Sequence, residues 1–214
     1  MKIYLSTAYL GPIQYYSKFL SGHGNDVYIE NCENYVKQSY RNRCTIISAN
    51  GPVSLSIPVE HRSGMKIPIR DVQISDQGNW QHIHWNAIVS AYNSSPFFEY
   101  FQDDFFPFYH KKFKFLHDYT EQLRELLFSL LGIDDLQVTH TQSYKCVFDK
   151  EDEVNCRDAF SPKKNCRETD RSFLPVKYYQ VFESKFGFIE NSSIIDLLFN
   201  MGNESRLVLM NSNR

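Results

Sequence analysis

The chain has 214 residues, a length suited to one domain with a full hydrophobic core and no need of disulfide or metal staples. Hydrophobic residues make up 42 %, charged residues 22 % and aromatics 15 %, which excludes a wholly disordered chain. The net charge of −2 argues against nucleic acid or an anionic membrane surface as the default partner.

In chain order, Lys2–Tyr9 reads as a strand. Gly11-Pro12 is turn chemistry, and Pro12 can open a helix over Ile13–Leu20 that stops at Gly22; His23 just beyond is loop punctuation. Val27–Glu30 is a short strand. Thr45–Ser48 and Val53–Pro58 flank Asn50-Gly51, a strong hairpin signal, and Ile67–Ile74 is extended. The middle, about 79–132, is helical. Asn79 can cap Trp80–Asn93, Asp103–Phe115 forms a second helix with Pro107 near its start, and Asp118–Leu131 a third that ends at Gly132. Strands return at Leu136–Thr141 and Ser143–Phe148. Residues 149–177 carry 14 charges among 29 residues and read as a charged mobile loop. A last helix runs over Ser192–Met201, capped by Asn191 or Ser192 and closed by Gly202. The expected fold is α/β: an N-terminal strand–helix–strand sheet region, a helical middle, and a C-terminal strand and helix return, in a single domain over 1–214.

No apolar run approaches the roughly 18 residues of a membrane span, and the opening residues lack a signal-peptide core. The five cysteines are odd in number and contain no Cys-x-x-Cys, so neither a disulfide framework nor a zinc ribbon is indicated. The expectation is a cytoplasmic protein with no membrane insertion.

The most informative segment is Glu33–Arg43, which from Lys37 to Arg43 holds three cations and no acid. In an extended conformation Lys37, Arg41 and Arg43 share one side, an anion cradle suited to phosphate or carboxylate. A solvated edge strand explains the same residues equally well. Tyr9 and Gln14 flank the first strand-to-helix turn, where α/β proteins bind ligands. No Gly-x-Gly-x-x-Gly or Walker loop is present, so no nucleotide cofactor is indicated by motif. On a helix His82 and His84 point roughly 200° apart, which argues against a shared metal. His84 is the candidate general base, although a half-buried structural histidine between two tryptophans is the commoner case. Arg157 and Lys163 in the charged loop could close over an anionic substrate. His110, His117 and His140 have no partner at meaningful spacing. Asp196 forms a polar stripe with Ser192 and Asn200 and is expected to face solvent.

Three ordered segments resemble the WbqC-like protein family. They are Tyr9-Leu10-Gly11-Pro12-Ile13-Gln14-Tyr15-Tyr16; Tyr40-Arg41-Asn42-Arg43 with Asn50-Gly51 and Leu55-Ser56-Ile57-Pro58-Val59; and Ser193-Ile194-Ile195-Asp196-Leu197-Leu198-Phe199-Asn200-Met201-Gly202. Many members open with Gln-Pro-Tyr where this chain has Thr7-Ala8-Tyr9. The resemblance implies a place in bacterial surface-polysaccharide (O-antigen or capsule) biosynthesis and a small-group transferase, glycine being the group proposed for the family.

Three readings follow. One is a glycyl, acyl or other small-group transferase acting on a sugar nucleotide or sugar phosphate. The second is a non-catalytic binding or scaffold protein in the same pathway. The third is a single-strand nucleic-acid binder using Tyr35 and Tyr40 among the cations, which the net charge disfavours. The adjoining aromatic runs over Phe97–Tyr109 exceed what one helix face can bury, leaving a surplus for a homodimer surface or a sugar platform.

Overall fold

The computed structural model describes residues 1–21, 26–60, 66–134 and 136–213. Gly22 and His23, read above as a helix stop and loop punctuation, lie outside the described residues. Four short strands form a parallel sheet, side by side in the order Val138–His140, Asp26–Glu30, Lys2–Ser6 and Glu153–Asn155. They are β1 (Lys2–Ser6), β2 (Asp26–Glu30), β5 (Val138–His140) and β6 (Glu153–Asn155). The register pairs Ser6 with Glu30, Ile29 with His140 and Tyr4 with Asn155. All four carboxyl ends therefore lie at one edge. Side chains alternate across the pleat, so Ile3, Leu5, Val27 and Ile29 form an apolar face and Tyr4, Ser6, Tyr28 and Glu30 the other. The apolar four are at most 3 % exposed and join the main core.

The hairpin expected around Asn50-Gly51 is present, with β3 (Arg43–Ser48) antiparallel to β4 (Gly51–Ser56). Gly51 takes φ +100°, which the tight turn requires and a side chain would resist. The first helix, α1 (Ile13–Ser17), continues as a 3-10 turn to Leu20.

The helical middle consists of α2 (Trp80–Tyr92), α3 (Phe98–His110) and α4 (Leu116–Leu131). In α2, Trp80, His84, Ile88, Ala91 and Tyr92 are buried, a helical stripe packed against β3 and α3. The helix α3 begins five residues before the expected Asp103, and Pro107 sits near its end rather than its start. The reason is the aromatic spacing: Phe98, Phe101, Phe105 and Tyr109 bury one continuous face. Phe97, Tyr100 and Phe106 remain exposed. Gly132 closes α4 at φ +65°, with the Ile133 amide donating to the Phe128 carbonyl at 2.9 Å.

Two expectations for the stretch after β5 need correction. Ser143–Phe148 is not a strand. It runs across the Tyr4/Ser6 face of the sheet, with the Phe148 ring edge-on to Tyr4 at 5.1 Å. The strand comes instead from the charged stretch 149–177, which supplies β6 and the one-turn helix α5 (Cys166–Thr169). Its Phe160 and Phe173 are buried, so those apolar anchors outweigh its charge in deciding that it packs. After the short α6 (Glu183–Phe186), the chain ends in α7 (Ile194–Met201) and α8 (Ser205–Asn211).

The three segments that carry the family resemblance interlock. The amide of Ile194 donates to the Gly11 carbonyl at 2.9 Å, Ser193 N to the Thr45 carbonyl at 2.9 Å, and Tyr9 N to the Tyr40 carbonyl at 2.8 Å. The Ser193 hydroxyl donates to the Leu10 carbonyl at 2.7 Å. Asp196 is buried, contrary to the expectation of a solvent-facing stripe. Its Oδ2 accepts from Tyr178 at 2.5 Å, Gln180 at 2.9 Å and Ser192 at 3.1 Å. Burial raises its pKa despite these donors and Tyr92.

Candidate functional site

The carboxyl edge of the parallel sheet gathers most of the buried charge. Glu30 ends β2 with no exposed surface, and Glu33 follows in the next turn. Arg41 reaches Glu33 with both prongs of its guanidinium, Nε to Oε1 at 2.8 Å and Nη2 to Oε2 at 2.5 Å. Nη2 also donates to the Ser6 hydroxyl at 2.7 Å, at the end of β1. The remaining Arg41 nitrogen, Nη1, donates to no acceptor among the described residues. Burial opposes the Arg41 charge, but Glu33 and then Asp158 more than offset it and hold its pKa above the ordinary value.

Arg157 follows β6 and crosses to β2. It donates to Asn155 at 2.9 Å, Glu30 at 2.9 Å and the Lys145 carbonyl at 2.9 Å. Its carbonyl lies 3.1 Å from the Ser6 hydroxyl. Glu30 completes the bracket by accepting from Thr141 at 2.6 Å. Arg41 and Arg157 thus line one narrow cleft with Ser6, Thr7, Tyr15, Tyr40 and Phe160. Its volume of about 10 Å³ is room for a single water. The cleft sits between β1 and β6, where the strand order reverses and open α/β sheets place their ligands.

On the opposite face of the same edge lies a second network. His117 Nε2 and His140 Nδ1 both contact Asn31 Oδ1, at 2.8 and 3.1 Å. His140 Nε2 is 3.3 Å from Glu121 Oε2, which also accepts from Arg124 at 2.9 Å. Thr7 links this network to the cleft, 3.4 Å from Glu121 and 2.7 Å from Thr120. Burial lowers the His117 pKa, His140 adding to the effect and Glu121 opposing it.

The residues singled out from the sequence divide. Arg41 and Arg157 come together. Lys163 donates to Gln38, tying together segments next to the two arginine-bearing ones. Lys37 is exposed, and Arg43 donates to Ser56 Oγ at 2.9 Å on the hairpin. The shared face of Lys37, Arg41 and Arg43 does not form, because residues 37–41 turn, with Gln38 at φ +58°, and the two-residue alternation of a strand is lost. Tyr9 is buried away from the cleft, its hydroxyl 2.9 Å from His84 Nδ1 and 3.1 Å from the Tyr109 hydroxyl. Gln14 is also buried, and it ties α1 to Cys166, Asp170 and Asn191. His84 is 4 % exposed, enclosed by Trp80, Tyr9 and the Ser56 backbone. Burial lowers its pKa to about 4, so the imidazole is neutral and sealed from solvent. His82 points outward to Asn86.

Sequence reading missed Glu30, Glu33, Glu121, His117 and His140. The available signal was a charged or imidazole side chain closing a short buried strand, as Glu30 and His140 do. Among the described residues no group of three or more His, Cys, Asp or Glu could hold a metal ion. Likewise, no helix there is long and apolar enough to cross a membrane. A larger cavity of about 410 Å³ lies between Ile3, Leu20, Val154 and Met210. Its buried ion pair, Lys18–Asp170 at 2.5 Å, is taken up further by Ser172 and Gln14, and the Met1 amino group pairs with Asp152 at 3.5 Å, so the convergent polar chemistry is at the carboxyl edge.

These features define an α/β protein with a charged site at the carboxyl edge of a parallel sheet. The chain belongs to the WbqC-like protein family, which matches residues 8–207. The uncharacterized protein Rv1507c of Mycobacterium tuberculosis is 24 % identical over 193 residues, covering 80 % of this chain and 81 % of the relative. No solved structure matches at a significant level.

Proposed function

We infer that the protein binds a phosphorylated sugar across the cleft of Arg41 and Arg157 and serves surface-polysaccharide assembly as a small-group transferase. One observation carries the reading. Two buried guanidiniums from distant parts of the chain converge at the switch point of the sheet, and Arg41 keeps Nη1 uncommitted among the described residues. The exposed carboxylate of Asp158 lies 3.7 Å from Arg41 Nη2, so an anionic group can approach that side from solvent. An incoming phosphate takes the place of that weak contact and lies over the mouth, since the cleft holds only a water. Glu30 and Glu33 keep both guanidiniums oriented in advance, which limits the entropy lost on binding.

In a glycyl or acyl transfer, an amine or hydroxyl of the acceptor attacks the activated carbonyl carbon. The acceptor proton must leave and the donor's leaving group departs. Enclosed His84 has no path to such a proton. His140 lies on the opposite face of this edge, with one ring nitrogen on Asn31 and the other 3.3 Å from Glu121, so the acceptor proton leaves to solvent at the cleft mouth.

The test is a thermal-shift and titration screen against sugar 1-phosphates and nucleotide sugars. Arg41→Lys and Arg157→Lys keep the charge but lose the planar fork. Each should weaken binding by about 10-fold or more, the scale of a lost charge-assisted hydrogen bond. Equal affinity in all three proteins rules the cleft out. Tight binding without turnover on any acceptor or acyl donor favours a binding protein of the same pathway. Surface-polysaccharide composition in a deletion strain tests the pathway itself.

A further inference from the structure

Tyr144 stands out at the same edge. It lies on the segment that crosses the polar face of the sheet, and it is 52 % exposed. An aromatic so exposed ordinarily swings freely. This one is backed by the Arg157 guanidinium, whose carbon is 4.5 Å from the Tyr144 ring centre and 5.0 Å from that of Phe148. The adjoining peptide is pinned on both sides. Lys145 N donates to Glu30 Oε2 at 3.3 Å, and Lys145 O accepts from Arg157 Nη2 at 2.9 Å. Glu30, which orients the cleft, and Arg157, which lines it, therefore also fix a flat aromatic surface beside it.

We propose that Tyr144 is the stacking platform of this site and that the ligand is a nucleoside diphosphate sugar, with its base on the open side of Tyr144 and its diphosphate at Arg41 and Arg157. The inference rests on the phosphate-binding reading above and narrows its substrate class. The choice of base over sugar ring follows from the guanidinium behind Tyr144. A cation on one side draws π density from the ring, which weakens contacts to sugar C–H groups that need an electron-rich face. Stacking of a planar heterocycle tolerates that loss.

The test measures affinities of uridine diphosphate, adenosine diphosphate and glucose 1-phosphate for wild type, Tyr144→Phe, Tyr144→Ala and Arg157→Lys by calorimetry. Tyr144→Ala should weaken at least one nucleoside diphosphate by roughly 5- to 150-fold, the range for loss of one stacked base. Tyr144→Phe should stay near wild type, and glucose 1-phosphate should be indifferent to Tyr144→Ala but weakened by Arg157→Lys. Unchanged nucleotide affinity in Tyr144→Ala overturns the platform, and the cleft stands if Arg157→Lys still weakens glucose 1-phosphate. Equal weakening of glucose 1-phosphate and the nucleotides by Tyr144→Ala puts the sugar on the ring and overturns the base assignment. No binding of any of the three to wild type overturns both readings.

Discussion

His84 separates a packing role from a chemical one. Its imidazole is neutral in the fold because burial lowers its pKa from 6.5 to about 4. In the unfolded chain the same group titrates near 6.5. Above that value both states hold it neutral, and its contribution to pH dependence vanishes. As pH falls toward about 4, the unfolded state takes up the proton and the folded state does not, so stability is lost. The gap between 6.5 and about 4, at about 1.4 kcal/mol per pH unit, is worth about 3 kcal/mol. The assay is urea unfolding at pH values from 7 down to about 4, for wild type and His84→Gln. The substitution removes the titrating group, and the new amide can still offer the Tyr9 hydroxyl a partner. The difference in stability between the two proteins should shrink or invert by about 3 kcal/mol across that interval. A constant difference would refute the enclosed, neutral imidazole and reopen His84 as a titrating site.

Three further outcomes are expected. Asp196→Asn should cost about 2 kcal/mol, because the amide cannot accept all three donors from Tyr178, Gln180 and Ser192; denaturant titration measures it. Gly202→Ala should cost about 2 kcal/mol or more, since Gly202 has φ +54° and a Cβ there would stand 2.7 Å from the Phe97 ring; an unchanged Tm contradicts the packing of α3 on α7. Glu153 is held near a pKa of about 2, chiefly by Lys145 and then by the Asp149 amide. The stabilisation it gives β6 is present above its ordinary value of 4.5 and lost as pH falls toward 2, so Glu153→Gln should flatten the fall in protection factors of the β6 amides across that interval, measured by hydrogen exchange against the intrinsic rates.

Local chemistry made part of this fold legible. Asn50-Gly51 announced the β3–β4 hairpin, Gly132 the end of α4, and the spacing of Trp80, His84 and Ile88 the inner face of α2. Where long-range burial competes with local charge, the sequence misleads. Residues 149–177 look like a solvated loop, yet Phe160, Phe173 and the register of Val154 against Ile3 place them in the structure. Asp196 looks like part of a polar stripe until Tyr178 and Gln180, outside its own helix, arrive with donors. The site shows the same division. Arg41 and Arg157 were visible as cations in informative segments. Their carboxylate partners were not, because Glu30 and Glu33 take on meaning only once β1, β2 and β6 lie side by side. His117 and His140 meet through Asn31 across a helix start and two strand ends, a contact no spacing rule reports.

The central claim is that an anion is held between Arg41 and Arg157 at the carboxyl edge. A crystal of the protein soaked in tungstate, a phosphate mimic located by its anomalous scattering, tests it directly. An ion is expected over the cleft mouth, within hydrogen-bonding distance of Arg41 Nη1 and absent from crystals of Arg41→Lys. Strong ions elsewhere on the protein, with the cleft empty, would contradict it.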